Sequence, residues 1–309
     1  MDCFLSQNHK YNICLILNNK YNQEANMTFE EFNAYILDLE QLANLDFGVV
    51  GYSTLGEPVY YAHYGNYTGK QIIIEGSIHA REYLAGVLVA RLARYISETS
   101  PVIDGGIYFI PNVNPDGVRL VLDGVTDYYC PKLQEVLLTI NDGNTDFGLW
   151  KANINGVDLN VNFDALWGGG SQNIFCLGSG NFVGYYPDSE REVKLIEEFT
   201  LKINPALTIS YHTKGEVIYY GFETLSESSL NRDYLIGEQL SMVTGYPLVR
   251  TVASTGGYSD WVSMKLDVPA YTIEVGNASI PHPLGIENLE TVFQQNKDVP
   301  LTAFNAINS

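Results

Sequence analysis

A run of three isoleucines, Ile72 to Ile74, places the strongest constraint on the fold of this chain. A strand that is apolar at consecutive positions has both faces buried, which is typical of a parallel sheet covered by helices. From Glu82 to about Ile96 the apolar residues instead recur at intervals of three and four, as on one face of a helix. This strand and helix in sequence predict an α/β protein.

The same alternation continues along the chain. Runs rich in Val, Ile and Tyr, separated by Gly, Pro or Asn, predict strands at 47–52, 58–64, 71–75, 106–111, 206–211, 216–220 and 270–275. Helical patterns predict a first helix behind the capping box of Thr28 and Glu31, followed by helices at 82–96, 188–202, 230–244, 257–266 and 286–307. Residues 112–187 are predicted to be a long irregular stretch. We therefore expect a mixed, mostly parallel, twisted sheet with helices on both faces.

The length and composition favour one catalytic domain. A chain of 309 residues with 46% hydrophobic content can bury a large core, and no shift in composition divides residues 27–309. Residues 1–26 are polar and rich in asparagine, so we expect a poorly ordered N-terminal extension there.

The charge narrows the classes of partner. The formal net charge of -19 argues against binding to nucleic acid or to an anionic membrane surface. No secretion signal or membrane span is evident in the sequence. The cysteines show no metal or redox spacing and are interpreted as free thiols: Cys3, Cys14, Cys130 and Cys176. We expect a cytoplasmic protein, and the sequence predicts no particular oligomeric state.

Two of the predicted strands are followed by metal-ligating residue types. His79 and Glu82 lie three residues apart behind one strand, and His212 ends another. The carboxyl ends of parallel strands meet at one edge of a sheet, so these side chains are expected to converge. Two imidazoles and a carboxylate form a catalytic zinc set, which leaves a fourth position for a water whose pKa falls to about 7. Taken singly, each of these residues is more often structural.

Three further segments carry a family resemblance. They read PNVNPDG at 111–117, WKANINGVDLNVNF at 150–163, and GGYSDW at 256–261 followed by TIE at 272–274. Together with the His79 and His212 segments, in this order and spacing, they resemble the zinc carboxypeptidase family from about residue 27 to residue 309.

The resemblance implies a role for each matching residue. His79, Glu82 and His212 would hold one zinc ion. Glu274 would be the general base, which takes a proton from the attacking water and passes it to the leaving amine. Asp158 would orient a histidine ligand, His79, in addition to any role in the turn after Gly156.

The resemblance also suggests residues that contact the substrate. Lys151 stands where many members have an arginine that stabilises the oxyanion; the alternative is a solvated loop lysine. Arg81, between two ligands, resembles a subsite arginine, although it could instead pair with a carboxylate. Other candidate substrate contacts, from the matching motifs, are Asn160, Asn162, Tyr258 and Ser259.

Two departures from the family pattern bear on the substrate. Val161 stands where the family has an arginine that binds the C-terminal carboxylate of the substrate. Val252 stands where digestive members have a tyrosine that covers the substrate. The stretch YHTKGEVIYY at 211–220 is similar to bacterial γ-D-glutamyl-meso-diaminopimelate peptidases. Lys214 or Arg81 is then hypothesised to replace the missing arginine as an anion contact.

Three functions remain open at this point. The leading one is a zinc peptidase that hydrolyses an amide bond in a bacterial cell-wall peptide. The second is a conventional carboxypeptidase with a substitute carboxylate anchor. The third is a peptide-binding module that keeps the fold and the metal but has weakened catalysis.

Overall fold

The computed structural model describes residues 27–101 and 103–308, so the predicted extension at 1–26 lies outside the described residues. The strands are β1 (Leu45–Tyr52), β2 (Pro58–Gly65), β3 (Lys70–Gly76), β4 (Gly105–Ile110), β5 (Leu207–Thr213), β6 (Val217–Tyr220), β7 (Leu248–Arg250) and β8 (Ala270–Val275). The α-helices are α1 (Phe29–Leu37), α2 (Tyr83–Thr99), α3 (Pro115–Asp123), α4 (Pro131–Ile140), α5 (Arg191–Ile203), α6 (Glu227–Thr244), α7 (Tyr258–Leu266), α8 (Leu289–Asn296) and α9 (Val299–Ala306). Short 3₁₀ helices lie at Asp38–Gln41, Ala80–Glu82, Leu159–Val161 and Ile286–Asn288.

The strands form one mixed sheet in the order β1-β2-β4-β3-β5-β8-β6-β7. Its four central strands, β4, β3, β5 and β8, are parallel to one another. Antiparallel pairing appears between β1 and β2, between β2 and β4, and between β6 and β8. The predicted α/β class and the mixed sheet are confirmed.

The three isoleucines of β3 show how both faces of the sheet are covered. Ile72 and Ile74 pack into the cluster that contains α2, and Ile73 packs into the opposite cluster, which contains residues of α5 and α7. None of the three side chains is exposed to solvent. Burying an aliphatic side chain of this size contributes about 1.5–3 kcal/mol, so β3 is a main source of stability at the centre of the sheet.

The structure corrects three details of the predicted elements. The stretch 112–187 is not irregular throughout, because it contains α3 and α4, each of which begins with proline, a residue well suited to a first helical turn. The predicted helix at 286–307 is divided into α8 and α9, and Pro300, which cannot donate a backbone hydrogen bond, lies in the first turn of α9. The three-residue β7 was not predicted, since a run so short carries no clear periodicity. No helix in residues 27–101 and 103–308 has the length and apolarity that a membrane span requires.

Candidate metal centre and adjoining cleft

The sheet brings the predicted ligands to one place. His79 and Glu82 follow the carboxyl end of β3, and Glu82 lies in the short 3₁₀ helix that leads into α2. His212 belongs to β5, the strand that pairs with β3 on one side and with β8 on the other. In the β5–β8 register, His212 lies opposite Glu274. The central parallel strands therefore position all four side chains, three of them at strand ends, as the sequence predicted.

The distances among the three candidate ligands fit a single metal ion. His79 Nδ1 lies 3.1 Å from Glu82 Oε1, and His212 Nδ1 lies 3.0 Å from Glu82 Oε2. The two Nδ1 atoms are 3.1 Å apart. Donors that sit 2.0–2.1 Å from a tetrahedral zinc are about 3.3 Å from one another, so this set is slightly tighter than a zinc set. Within the described part of the chain, it is the one group of three such side chains placed to share a metal.

The electrostatics of this cluster favour the binding of a metal cation. Burial acts to raise the pKa of Glu82, but His79 and His212 outweigh it and hold that pKa well below its ordinary value. Glu82 therefore stays ionised, and the backbone N–H of Thr213 also donates to its Oε2 at 3.2 Å. Burial and the charge of Lys151 lower the pKa of His79, yet Glu82 and Asp158 outweigh them and raise it. The negative charge of two carboxylates is thus concentrated where a cation would bind.

Asp158 lies behind His79, on the side away from the other ligands. Its Oδ1 is 3.2 Å from His79 Nε2, and its Oδ2 is 2.7 Å from Lys151 Nζ. Burial would raise the pKa of Asp158, but Lys151 and His79 outweigh burial and hold it well below its ordinary range. Lys151 also donates to Asn181 Oδ1 at 3.1 Å. The His79 ring thus has Nε2 beside Asp158 and Nδ1 towards the ligand cluster, an arrangement in which Asp158 can orient the ring.

A second carboxyl group lies behind His212 and was not predicted. Ser210 Oγ donates a hydrogen bond to Glu75 Oε1, and the same oxygen lies 3.0 Å from His212 Nε2. Glu75 is completely buried, and burial raises its pKa to about 7. The available sequence signals were the acidic residue inside the apolar run of β3 and the two-residue spacing of Ser210 and His212.

Glu274 is an only partly buried acid, but its Oε2 is buried and has no hydrogen-bond partner. Burial raises the pKa of Glu274 to about 7, against the opposing effect of His212. A carboxyl group with a pKa near neutrality is suited to accept and return a proton. Its side chain lines a cleft of about 630 Å³ that also reaches His79 and Lys151.

The walls of this cleft are mainly polar. They come mainly from β8, from the segment 249–257, which includes the end of β7 and leads to α7, and from the loop 170–173. Gly256 has a φ of +83°, and a side chain there would place its Cβ 2.7 Å from the carbonyl oxygen of Val161. The glycine thus allows the 249–257 segment to lie directly against the backbone at Val161.

The comparison with known proteins matches this arrangement. The model of the zinc carboxypeptidase family matches residues 43–297. The chain belongs to the zinc carboxypeptidase family. A zinc cofactor is characteristic of this family, and His79, Glu82 and His212 form a possible site for it.

The chain is also similar to individual proteins of known sequence or structure. The γ-D-glutamyl-L-diamino acid endopeptidase 1 of Lysinibacillus sphaericus is 32% identical over 80% of this chain and 64% of that protein, so the chain spans less than two thirds of the relative's length. Bovine thrombin-activatable fibrinolysis inhibitor superposes with a TM-score of 0.73 at 18% identity, over 92% of this chain and 98% of that one. A murein-tripeptide amidase from Escherichia coli O157 superposes with a TM-score of 0.54 at 20% identity, over 84% of this chain and 91% of that one. These two superpositions confirm the fold.

The predicted substrate contacts of this chain fall into two groups. Asn160 and Ser259 line the cleft. Asn162 and Tyr258 have no exposed surface, so neither side chain is accessible to a substrate in this structure. The amide of Asn162 holds the backbone around Val183 and Glu190, and the Tyr258 hydroxyl is 2.8 Å from Thr200 Oγ1. Both side chains therefore support the backbone and helices that surround the cleft.

The two cations proposed to replace the family arginine do not line this cleft. The ammonium group of Lys214 donates a hydrogen bond to the carbonyl oxygen of Ala278 at 2.5 Å. Arg81 has a buried Nε without a hydrogen-bond partner, and its charge acts on Glu274 and His282. The positively charged residues that do line the cleft are Lys151 and Arg250, and Arg250 was not predicted.

Proposed function

We propose that this protein is a zinc metallopeptidase that hydrolyses an amide bond in a bacterial cell-wall peptide of the γ-D-glutamyl-meso-diaminopimelate type. The observation that carries the proposal is the convergence of three metal donors beside a cleft that is lined by His79 and by Glu274, whose buried Oε2 has no hydrogen-bond partner. The similarity to the Lysinibacillus sphaericus endopeptidase supports the substrate class.

The surroundings of each residue in and beside the cleft support a specific role in hydrolysis. His79, Glu82 and His212 would hold the zinc ion, which when bound supplies Lewis acidity and a water of lowered pKa. Glu274 acts as the base that removes a proton from the attacking water and then delivers it to the leaving nitrogen. Lys151 supplies positive charge near the carbonyl oxygen of the substrate, where negative charge develops.

The proposed substrate class depends on the charged residues that line the rest of the cleft. Val161 lines the cleft in place of the family's carboxylate-binding arginine, so an ordinary C-terminal carboxylate lacks its usual partner there. Arg250 lines the same cleft, and its guanidinium has no ion-pair partner among the described residues. An unpaired guanidinium suits a substrate carboxylate. Peptides that contain diaminopimelate carry such a group on a side chain.

The substrate class is tested with the zinc-loaded protein and L-Ala-γ-D-Glu-meso-diaminopimelate. We expect mass spectrometry to detect release of L-Ala-γ-D-Glu and free diaminopimelate. A blocked ordinary dipeptide serves as the parallel substrate, which we expect to be hydrolysed at least 100-fold more slowly. Hydrolysis of the ordinary dipeptide alone would favour a conventional carboxypeptidase, and hydrolysis of neither would favour a binding module.

The substitution Arg250→Met is expected to weaken binding of the diaminopimelate peptide. A charge-assisted hydrogen bond contributes about 1.5–3 kcal/mol, so KM should rise about 10- to 100-fold while kcat changes little. The matched peptide with L-lysine lacks the side-chain carboxylate, and its KM should change less than about threefold. Steady-state kinetics on both peptides measures the difference.

Arg191→Met is the control, because Arg191 is exposed on α5 and does not line the cleft. An equal rise in KM for both peptides would show that Arg250 does not bind the side-chain carboxylate.

A further inference from the structure

The pair formed by Glu75 and Ser210 is not explained by the stability of the sheet. The two residues lie opposite each other in the register of β3 and β5, with their side chains on one face. Glu75 is completely buried, and its Oε2 has no hydrogen-bond partner. A buried carboxyl group with half of its hydrogen-bonding capacity unused destabilises a fold, and such groups are concentrated at functional sites.

The contacts connect this carboxyl group to the metal centre. Ser210 Oγ donates to Glu75 Oε1, which leaves the lone pairs of the serine oxygen free to accept. His212 Nε2 lies 3.0 Å from that oxygen, so Nε2–H donates to Ser210 when the imidazole carries its proton there. Nδ1 is then unprotonated and directed towards Glu82 and His79. The chain of hydrogen bonds therefore selects the tautomer that a metal requires.

We propose that Ser210 and Glu75 are positioning residues that fix the tautomer and the ring orientation of His212 for metal binding. They act on His212 as Asp158 acts on His79, except that a serine hydroxyl connects the carboxyl group to the imidazole. The strand alternation places Ser210 and His212 on the same face of β5, and the β3–β5 register places Glu75 beside Ser210. The inference rests on the zinc site of the proposed function.

The test is the zinc affinity of the purified protein, measured by competition with a chelator. Ser210→Ala and Glu75→Gln should each weaken zinc binding about 10- to 100-fold, as for other groups that orient a ligand histidine. The double variant should bind about as weakly as the weaker single variant, because the two residues act in series. Ser210→Thr keeps the hydroxyl and should restore most of the affinity.

Thr208→Val is the matched control. Thr208 lies two residues before Ser210 on β5, is completely buried, and has a hydroxyl without a hydrogen-bond partner. The zinc affinity of the Thr208→Val variant should stay within about twofold of that of the wild type. With cobalt in place of zinc, Ser210→Ala should change the visible absorption spectrum, which reports ligand geometry, while Thr208→Val should not.

The outcomes separate this inference from the proposed function. Wild-type zinc affinity and an unchanged cobalt spectrum in Ser210→Ala and Glu75→Gln would overturn the positioning role while leaving the zinc site intact. Equal losses in Thr208→Val would also overturn it, because they would indicate a general effect of packing in β5. A wild-type protein that binds no zinc would overturn both the site and the inference.

Discussion

Glu274→Gln is expected to lower kcat for the cell-wall peptide about 1,000-fold while the protein still binds zinc. The amide keeps the size of the side chain but cannot accept a proton from the attacking water, and general base catalysis contributes about 10²- to 10⁴-fold. Binding should change little, since Glu274 is not one of the three donors that converge in the structure. Kinetics and zinc titration of the same preparation measure the two effects separately.

The pH dependence provides a second measure of the same residue. Burial raises the pKa of Glu274 to about 7 in the metal-free fold, and the positive charge of a bound zinc ion would lower it again. A base is active when deprotonated, so kcat/KM should fall about tenfold per pH unit as the pH drops below this pKa. In the wild type, the midpoint of this fall in kcat/KM should lie at or below pH 7. The residual activity of Glu274→Gln should show no such fall.

Glu197→Gln is the control for this experiment. Glu197 is a half-buried acid of α5 whose pKa is raised to about 8 by burial and by Asp188, and it does not line the cleft. Because this carboxyl group is largely protonated at neutral pH, the amide is a close mimic and activity should stay within about twofold. Full activity in Glu274→Gln would exclude Glu274 as the base.

Removal of the metal is expected to have an effect on activity as large as that of Glu274→Gln. Dialysis against a chelator should reduce hydrolysis at least 1,000-fold, and one equivalent of zinc should restore it. The protein should remain folded, because β3 and its neighbours are held by apolar packing on both faces. Zinc at 1,000 times its dissociation constant stabilises the folded state by about 4 kcal/mol, which corresponds to a rise in Tm of roughly 8 °C.

Glu82→Gln distinguishes a specific site from general effects of chelation. The substitution removes the ligand charge without changing the size of the buried side chain, so the variant should show neither the activity nor the zinc-dependent rise in Tm. Magnesium should not replace zinc, because it prefers an octahedral set of oxygen ligands. Restoration of activity by magnesium, or normal activity of Glu82→Gln, would contradict the proposed metal centre.

The sequence predicted the parts of the site that strands determine. His79, His212 and Glu274 were expected at or near the ends of parallel strands, and the backbone register of β5 and β8 then places His212 opposite Glu274. Periodicity was sufficient to place these residues at strand ends, whereas their roles came from the family resemblance. The class of the sheet followed from the same patterns.

Side chains whose surroundings depend on distant segments were predicted less well. Motif position alone could not show that Asn162 and Tyr258 face inwards, because their burial depends on packing against distant segments. Arg250 was missed because it lies on a strand of three residues that no periodic pattern reveals. Glu75 was missed because a single acid in an apolar run does not indicate its hydrogen-bond partner on another strand.

The division of the cleft between sheet and loops has a consequence for how this protein can change. His212 and Glu274 belong to the central strands, whereas the wall beside Val161 belongs to the 249–257 segment, which includes the exposed Val252. Loops accept insertions and replacements that a central strand does not. New substrate ranges can therefore be selected by exchanging this one segment, while the chemistry is inherited unchanged from the sheet.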